Sequence, residues 1–193
     1  MKIHYWTATL MIAGILLISC SPGATYERRL KKELASGVRY DSLFLGISLG
    51  MTSKEFYTHC WNLNRDSLAR QGTANMTVEY QVKDELKAPA TVNFYPGFER
   101  DRIVEMPVRI IYNGWAPWNQ SLSSDSLQLD VLHWYKEVYG RDFIEVEHPK
   151  RGKAFVQIRG NRRITIFTED EKGVVALFKD MSQIEEEKNE NSN

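Results

Sequence analysis

The stretch Val104-Glu105-Met106-Pro107-Val108-Arg109-Ile110-Ile111-Tyr112 indicates the fold class more clearly than any other part of the chain. Its even-numbered residues are all apolar. The odd-numbered residues between them are charged, apart from Pro107 and Ile111. Because side chains on a strand point alternately to its two faces, this period predicts a strand with one buried face. Pro107 cannot donate a hydrogen bond to a neighbouring strand. The strand is therefore predicted to lie at a sheet edge or to carry a bulge at Pro107.

Two shorter stretches with the same period precede this strand. Residues 76–83 alternate between apolar and polar side chains, and residues 92–94 follow after a turn at residues 87–89. Together the three stretches predict an antiparallel meander. The loop that follows the meander, residues 113–119, holds Trp115 and Trp118.

A helix is predicted before the meander. In Gly50-Met51-Thr52-Ser53-Lys54-Glu55, Thr52 and Glu55 have the spacing of a capping box, in which each side chain accepts a hydrogen bond from a backbone N–H at the helix start. The predicted buried stripe of this helix contains Phe56, Cys60 and Leu63. His59 precedes Cys60, but one such pair supplies too few ligands for a metal. No metal or other cofactor is therefore predicted.

The second half of the chain repeats this order. Ser123 or Ser124 is predicted to cap a helix that ends at Gly140. Its predicted apolar face contains Leu127, Val131, Trp134, Tyr135 and Val138. Four strands are predicted after it, over residues 144–146, 154–158, 164–166 and 174–178, with a tight turn at Gly160-Asn161.

These elements predict the fold class α+β, with one domain over residues 43–181. The domain consists of two helix-plus-antiparallel-meander halves, residues 43–119 and 120–181. Its predicted order is helix, three strands, helix, four strands.

The N-terminal residues predict where the protein is located. Lys2 begins a short basic flank, and an apolar run of about a dozen residues follows, whereas a membrane-spanning helix needs about 20. Residues 1–19 are therefore predicted to be a cleavable signal peptide.

The apolar run of this signal ends in Leu17-Ile18-Ser19-Cys20, which resembles the lipobox of bacterial lipoprotein signals. The resemblance implies that Cys20 is lipidated and that the protein is anchored in the bacterial cell envelope, with the outer membrane as the expected site, facing the periplasm or the surface. The alternative is an ordinary signal cut nearby, which leaves Cys20 as a structural cysteine.

Residues 20–42 are predicted to form a tether and a short helix from Thr25 to Gly37. Tyr26, Leu30 and Leu34 share a narrow face of this helix. Its other faces carry Arg28, Arg29, Lys31 and Lys32. The preferred interpretation is a solvated linker helix; the alternative is contact of the basic residues with anionic lipid head groups. At the other end, residues 182–193 are predicted to be a disordered acidic tail.

The charge balance and the cysteine count narrow the classes of partner. The chain has 25 basic and 25 acidic residues, and loss of the signal removes only Lys2. A nearly neutral protein lacks the basic field that nucleic acids require, so no nucleic-acid partner is predicted. With Cys20 lipidated, Cys60 is the remaining thiol and no intrachain disulfide is expected.

The start of the first domain helix carries a resemblance. Leu49-Gly50-Met51-Thr52 followed by an apolar helix resembles the opening of BamE-type (SmpA/OmlA) lipoprotein modules, and the paired halves resemble the beta-lactamase-inhibitor-protein fold. The resemblance implies a protein-binding or assembly-scaffold domain that is not an enzyme. The sequence departs from those modules at Asn62-Leu63-Asn64, where they tend to close with a Gly-x-Pro turn. The second half lacks the Gly-Met-Thr opening, so no functional residue of those modules is carried over.

The partner is predicted to be another envelope protein. Strand alternation places six residues on the sheet face opposite Val156 and Ile164. They are Phe155, Gln157, Arg159, Arg163, Thr165 and Phe167. Aromatic and arginine side chains dominate binding hot spots, which makes Phe155, Arg159, Arg163 and Phe167 candidates for partner binding. The alternative is that the other half of the domain buries both phenylalanines.

Two further hypotheses rest on other residues. Trp115 and Trp118 could stack on a glycan or a peptide in a surface ligand-binding lipoprotein, or they could be buried at the junction between the halves. Gly46-Ile47-Ser48-Leu49-Gly50 matches the letters of a nucleophile elbow, which makes a serine hydrolase centred on Ser48 a third and less favoured hypothesis.

Overall fold

The computed structural model describes residues 22–73, 76–148 and 152–182. The helices are α1 (Pro22–Ala35), α2 (Ser53–Arg65) and α3 (Ser124–Tyr139), with a 3-10 turn at Gln120–Leu122. The strands are β1 (Arg70–Gln71), β2 (Val78–Val82), β3 (Ala90–Phe94), β4 (Gly97–Glu99), β5 (Arg102–Tyr112), β6 (Ile144–His148), β7 (Gly152–Arg159), β8 (Arg162–Thr168) and β9 (Gly173–Asp180). The predicted signal peptide, Cys20 and residues 183–193 of the predicted tail lie outside the described residues.

All nine strands belong to one antiparallel sheet, so the predicted α+β class is confirmed. The strand order is β1-β2-β3-β5-β9-β8-β7-β6, with β4 paired to β5 beside this path. The first half contains five strands instead of the predicted three, because the two- and three-residue strands β1 and β4 are too short to show a period. β5 and β9 pair along most of their length and join the two halves of the sheet.

The strand that contains Pro107 is central, so of the two predicted alternatives, a sheet edge or a bulge at Pro107, the edge position is wrong. On one side β5 pairs with β9, where Pro107 lies opposite Leu177. On the other side, the pairing of β5 with β3 ends at Val108 and Phe94. Tyr95, the residue after Phe94, belongs to no strand. The ladder facing Pro107 is therefore interrupted on this side. A register shift in the adjoining β4–β5 pair, at Gly97/Phe98, marks a bulge nearby.

One face of the sheet, the inner face, packs against α2 and α3 and forms the main core. Phe178 of β9 lies near the middle of this face, fully buried. Its ring contacts Phe44, Tyr135 and Tyr139 at centroid distances of 5.9, 5.9 and 5.5 Å. Strand residues on the inner face include Val92, Val108, Ile110, Ile164, Ile166, Val174 and Ala176. The alternation read in the sequence thus does place one face of each long strand in the core.

The predicted capping box at the start of α2 is confirmed. Thr52 Oγ1 accepts a hydrogen bond from the Glu55 backbone N–H at 3.2 Å, and Glu55 Oε2 accepts one from the Thr52 N–H at 2.8 Å. These bonds satisfy two backbone donors that the first helical turn leaves unpaired. The hydrogen bonds from Thr52 to the Glu55 carboxylate lower the pKa of that carboxyl group.

Thr52→Ala is expected to lower the free energy of unfolding by about 1 kcal/mol, because it removes the side-chain acceptor of the cap. Urea denaturation measures this loss. The matched control is Thr58→Ala on the exposed side of α2, which should change stability by less than about 0.5 kcal/mol. Equal losses in Thr52→Ala and Thr58→Ala would contradict the capping role.

The capping box also predicts a pH dependence of stability. Since the folded-state pKa of Glu55 is lowered, the stability that the Glu55 carboxylate contributes is present at neutral pH and is lost as the pH falls through that pKa.

The predicted ends of α3 are confirmed, but its buried face is rotated from the predicted one. Ser123 caps the helix and Gly140 terminates it. Val138 is 57% exposed and Trp134 is half-buried, whereas Tyr139 is buried. The Tyr139 hydroxyl donates a hydrogen bond to the Leu43 carbonyl, and the Arg162 guanidinium lies 5.0 Å from its ring centroid. These tertiary contacts favour Tyr139 over Val138 at the core.

α1 begins at Pro22, earlier than the predicted Thr25, so Pro22, Gly23 and Ala24 belong to the helix and not to a tether. The helix ends before Gly37, whose φ of +65° suits the stop that the sequence indicates. α1 contacts β6 and β7, which makes it a packed element and corrects the interpretation as a solvated linker helix. Among the described residues, no helix is both long enough and apolar enough to cross a membrane.

Candidate functional site

The second face of the sheet, the outer face, is divided into a covered part and an open part. α1 covers the part formed by β6 and β7. Beneath it Val156 and Ile158 are buried at 4% and 0% exposure. Among the described residues, α1 makes its main sheet contacts with β6 and β7, at the opposite end of the strand order from β2 and β3.

Three polar contacts fix α1 on the sheet along its length. Tyr26 accepts a hydrogen bond at its hydroxyl oxygen from Arg163 Nη1 at 2.8 Å. Arg29 Nη2 lies 2.7 Å from Asp142 Oδ2 in an ion pair. Near the end of the helix, Glu33 Oε2 accepts a hydrogen bond from the Gly160 N–H at 2.9 Å. The contacts span two turns of α1 and fix its rotation.

The predicted partner-binding face does not exist as one surface. The turn between β7 and β8 pairs Arg159 with Arg162, and therefore Phe155 with Ile166. Residues that are paired share a face, so Phe155 lies on the inner face, while Phe167 pairs with Ala154 and lies on the outer face. Both phenylalanines are 7% exposed. The prediction assumed a register that differs by one residue, which exchanges the faces of every side chain.

The two predicted arginines are occupied by contacts within the protein. Arg159 Nη2 lies 3.2 Å from Asp142 Oδ1, so Asp142 joins Arg159 to Arg29. Arg163 donates a hydrogen bond to the hydroxyl oxygen of Tyr26 in α1. Both side chains therefore help to dock α1, and they leave little of the predicted surface for a partner.

The open part of the outer face, called the open face below, is formed by Gln81, Thr91, Asn93, Pro107, Arg109 and Ile111 on β2, β3 and β5. A groove of about 590 Å³ runs over it and extends to Thr73 on one side and Glu169 on the other. Gln81 and Pro107 are exposed, and Thr91, Asn93 and Arg109 are half-buried. The open face thus presents hydrogen-bonding side chains together with two apolar residues, Pro107 and Ile111.

A hydrogen-bond network holds the polar side chains of the open face in place. Gln81 Nε2 donates to Thr91 Oγ1 at 3.0 Å, and Thr91 Oγ1 donates to Asn113 Oδ1 at 2.6 Å. Asn113 Nδ2 in turn donates to Gln81 Oε1 at 2.9 Å. The closed triangle orders three side chains on three different segments before any partner binds.

Charged pairs lie at both ends of the open face. Glu79 is 4% exposed and is bound by Arg70, whose Nε lies 2.9 Å from Glu79 Oε1. At the other end Arg109 forms ion pairs with Glu169 and, at 2.8 Å, with Asp170. Burial acts to raise the pKa of Asp170, but hydrogen bonds from the Lys172 and Gly173 N–H groups and the charge of Arg109 lower it overall. These residues were not predicted as a site, although the alternation at residues 76–83 places Glu79 and Gln81 on the face away from the core.

The structure separates the two tryptophans of the 113–119 loop. Trp118 is 86% exposed, and Trp115 is half-buried against the core, with Lys172 Nζ 5.6 Å from its ring centroid. A pocket of about 550 Å³ beside Trp115 is lined by polar side chains, including Asp125, Asp170 and Glu171. Only Trp118 is therefore presented to solvent as a stacking surface.

Ser48 and His59 line the same open pocket of about 940 Å³. The His59 Nε2 atom lies 2.6 Å from the Leu45 carbonyl oxygen, so this nitrogen carries a proton and donates it to the carbonyl. No hydrogen bond joins Ser48 to His59 among the described residues, and the geometry gives the serine hydrolase hypothesis no support.

Cys60 packs against the core, and burial raises the pKa of its thiol to about 11.

No group of three or more His, Cys, Asp or Glu side chains suited to a metal ion occurs within residues 22–73, 76–148 and 152–182.

Comparisons of the chain with protein-family models, with curated proteins and with solved structures found no match.

Proposed function

We propose that this protein is a lipid-anchored lipoprotein of the bacterial cell envelope with a non-enzymatic, protein-binding domain. Cys20 carries the lipid, and the two halves of the chain act together as one binding domain. The partner is another envelope protein, which binds the open face. The resemblance of the α2 start to BamE-type modules supports the same class of function.

The observation that carries this proposal is the unequal cover of the outer face. α1 closes this face at β6 and β7, while the same face at β2, β3 and β5 keeps a groove of about 590 Å³. An antiparallel sheet can leave one face to water, but a merely solvated face needs no ordered network. Here Gln81, Thr91 and Asn113 are ordered by mutual hydrogen bonds at one end of the open face, and Ile111 beside them and Pro107 further along β5 supply apolar area. Ordered polar groups together with apolar area are the usual composition of a protein interface.

The test combines two substitutions on the open face, Gln81→Arg and Asn93→Arg. Asn93 lines the groove and Gln81 lies beside it on the open face, so the two long charged side chains should block this surface without disturbing the core, because both positions point away from the core. The lipidated protein is purified from its own membranes, and the species that co-purify are identified for parent and variant. We expect the parent to recover a partner and the double variant to lose it at least tenfold.

The matched control is Leu129→Arg on α3, a position that is 57% exposed and lies on the other side of the sheet. This variant should recover the partner as the parent does. A double variant that melts like the parent and recovers the same species in equal amount would contradict the proposal.

A second candidate function is favoured by the exposure of Trp118. A tryptophan that is 86% exposed on a loop beside a polar pocket could stack on a glycan or a peptide. Titration of the protein with oligosaccharides, followed by tryptophan fluorescence, tests this candidate. A response that Trp118→Ala removes would support it, and an unchanged response in that variant would exclude Trp118.

A further inference from the structure

The docking of α1 leaves one side of this helix facing away from the domain. The side chains toward the sheet are Tyr26, Arg29, Leu30, Glu33 and Leu34, all half-buried. The exposed side chains on the opposite side are Glu27, Arg28, Lys31 and Lys32. The two sets lie about 180° apart on the helix, since successive residues are rotated by about 100°.

The exposed side of α1 is basic. Arg28, Lys31 and Lys32 form no hydrogen bond or ion pair with any of the described residues, whereas Arg29, one residue along, is paired with Asp142. Glu27 is the only acidic residue of the exposed set. The outward side of α1 therefore carries a net positive charge, although the whole chain is neutral.

The position of this side in the chain indicates what it meets. α1 begins at Pro22, so a single residue separates the helix from Cys20. The Cα atoms of Cys20 and Pro22 are two residue steps apart, at most about 7 Å, so the start of α1 stays close to an acyl chain attached to Cys20. Arg28, Lys31 and Lys32 lie about 9 to 15 Å further along the helix, at about 1.5 Å per residue. With α1 lying along the bilayer surface, their long side chains come within the Debye length of about 8 Å over which head-group charge acts.

We propose that Arg28, Lys31 and Lys32 form a docking surface for anionic lipid head groups, which orients the domain on the membrane. The occupant is the bilayer surface itself, and the attraction adds to the anchor at Cys20. The rigid contacts of α1 with Asp142, Arg163 and Gly160 transmit this orientation to the whole sheet. The proposal rests on the envelope location but not on the identity of the protein partner.

The test uses the chain from residue 20 onward with Cys20→Ser, which contains every described residue and has no acyl chain. Its binding to vesicles of phosphatidylcholine alone is compared with binding to vesicles that contain phosphatidylglycerol. We expect a clear preference for the anionic vesicles that disappears at high salt. The triple variant Arg28→Gln, Lys31→Gln, Lys32→Gln should bind the anionic vesicles about 100-fold more weakly, since each basic residue near such a surface contributes roughly fivefold.

The matched control neutralises three basic residues of the first half, Lys54→Gln, Arg65→Gln and Lys83→Gln, and should bind like the parent. Arg28→Lys keeps the charge and should also bind like the parent. Unchanged thermal melting of the triple variant shows that the fold is intact. Equal binding of triple variant and parent, or no preference of the parent for anionic vesicles, would overturn the proposal. Partner recovery through the open face is measured separately, so either proposal can fail alone.

Discussion

Phe178→Ala is expected to lower the free energy of unfolding by about 3 to 5 kcal/mol, the range for truncating a fully buried aromatic side chain. Phe178 is fully buried between the sheet and α3, and its ring contacts Phe44, Tyr135 and Tyr139. Small domains have a total stability of about 5 to 15 kcal/mol, so this loss is a large share of it. Urea denaturation at neutral pH measures the change.

The matched control for this prediction is Val138→Ala on α3. Val138 is 57% exposed, so its truncation should change stability by less than about 0.5 kcal/mol. A loss at Val138 that equals the loss at Phe178 would mean that α3 is rotated relative to the face described above.

Cys20→Ser is expected to release the protein from the membrane or to leave it with its signal uncleaved. In the proposed lipoprotein, acyl chains on Cys20 would supply the stable part of the membrane affinity, because a few surface charges alone give reversible binding. Fractionation of cells followed by a high-salt wash measures retention, and the wash removes any contribution from Arg28, Lys31 and Lys32.

Cys60→Ser is the control for the anchor, since Cys60 packs against the core far along the chain. This variant should stay with the membrane fraction. A Cys20→Ser protein that is processed and still remains in the washed membranes would contradict the lipoprotein assignment.

The sequence predicted the long strands, α2 and the ends of α3 because each depends on local chemistry. The alternation around Val108 reports which side chains face the core, and the pair Thr52 and Glu55 forms its capping bonds within one helical turn. Gly140, with a φ of +103°, supplies the conformation that ends α3. In these places the immediate neighbours in sequence determine the structure.

The predicted partner-binding face was wrong for a local reason, and the open face depends on docking. The two-residue turn at Gly160-Asn161, which the sequence predicts, pairs Arg159 with Arg162 and so places Phe155 and Phe167 on opposite faces, whereas the predicted surface put them on one face. The polar residues Gln81 and Asn93 look like an ordinary solvated strand face in the sequence. They become a distinct surface only because α1 covers β6 and β7 and leaves β2 and β3 open.

Pro107 shows the same limit. Proline is generally excluded from central strands, yet β5 is central, because the ladder opposite Pro107 is interrupted between Phe94 and Gly97. This interruption is a property of the partner segment, and the sequence of β5 alone does not contain it.

Site-specific photo-crosslinking in intact membranes tests the central claim most directly, namely that the open face binds an envelope protein. A photoreactive amino acid is placed at Gln81 on the open face and, in a second protein, at Leu129 on the exposed side of α3. We expect irradiation to give a discrete crosslinked protein from position 81 and none from position 129. A crosslinked product from position 129 with none from position 81 would contradict the account.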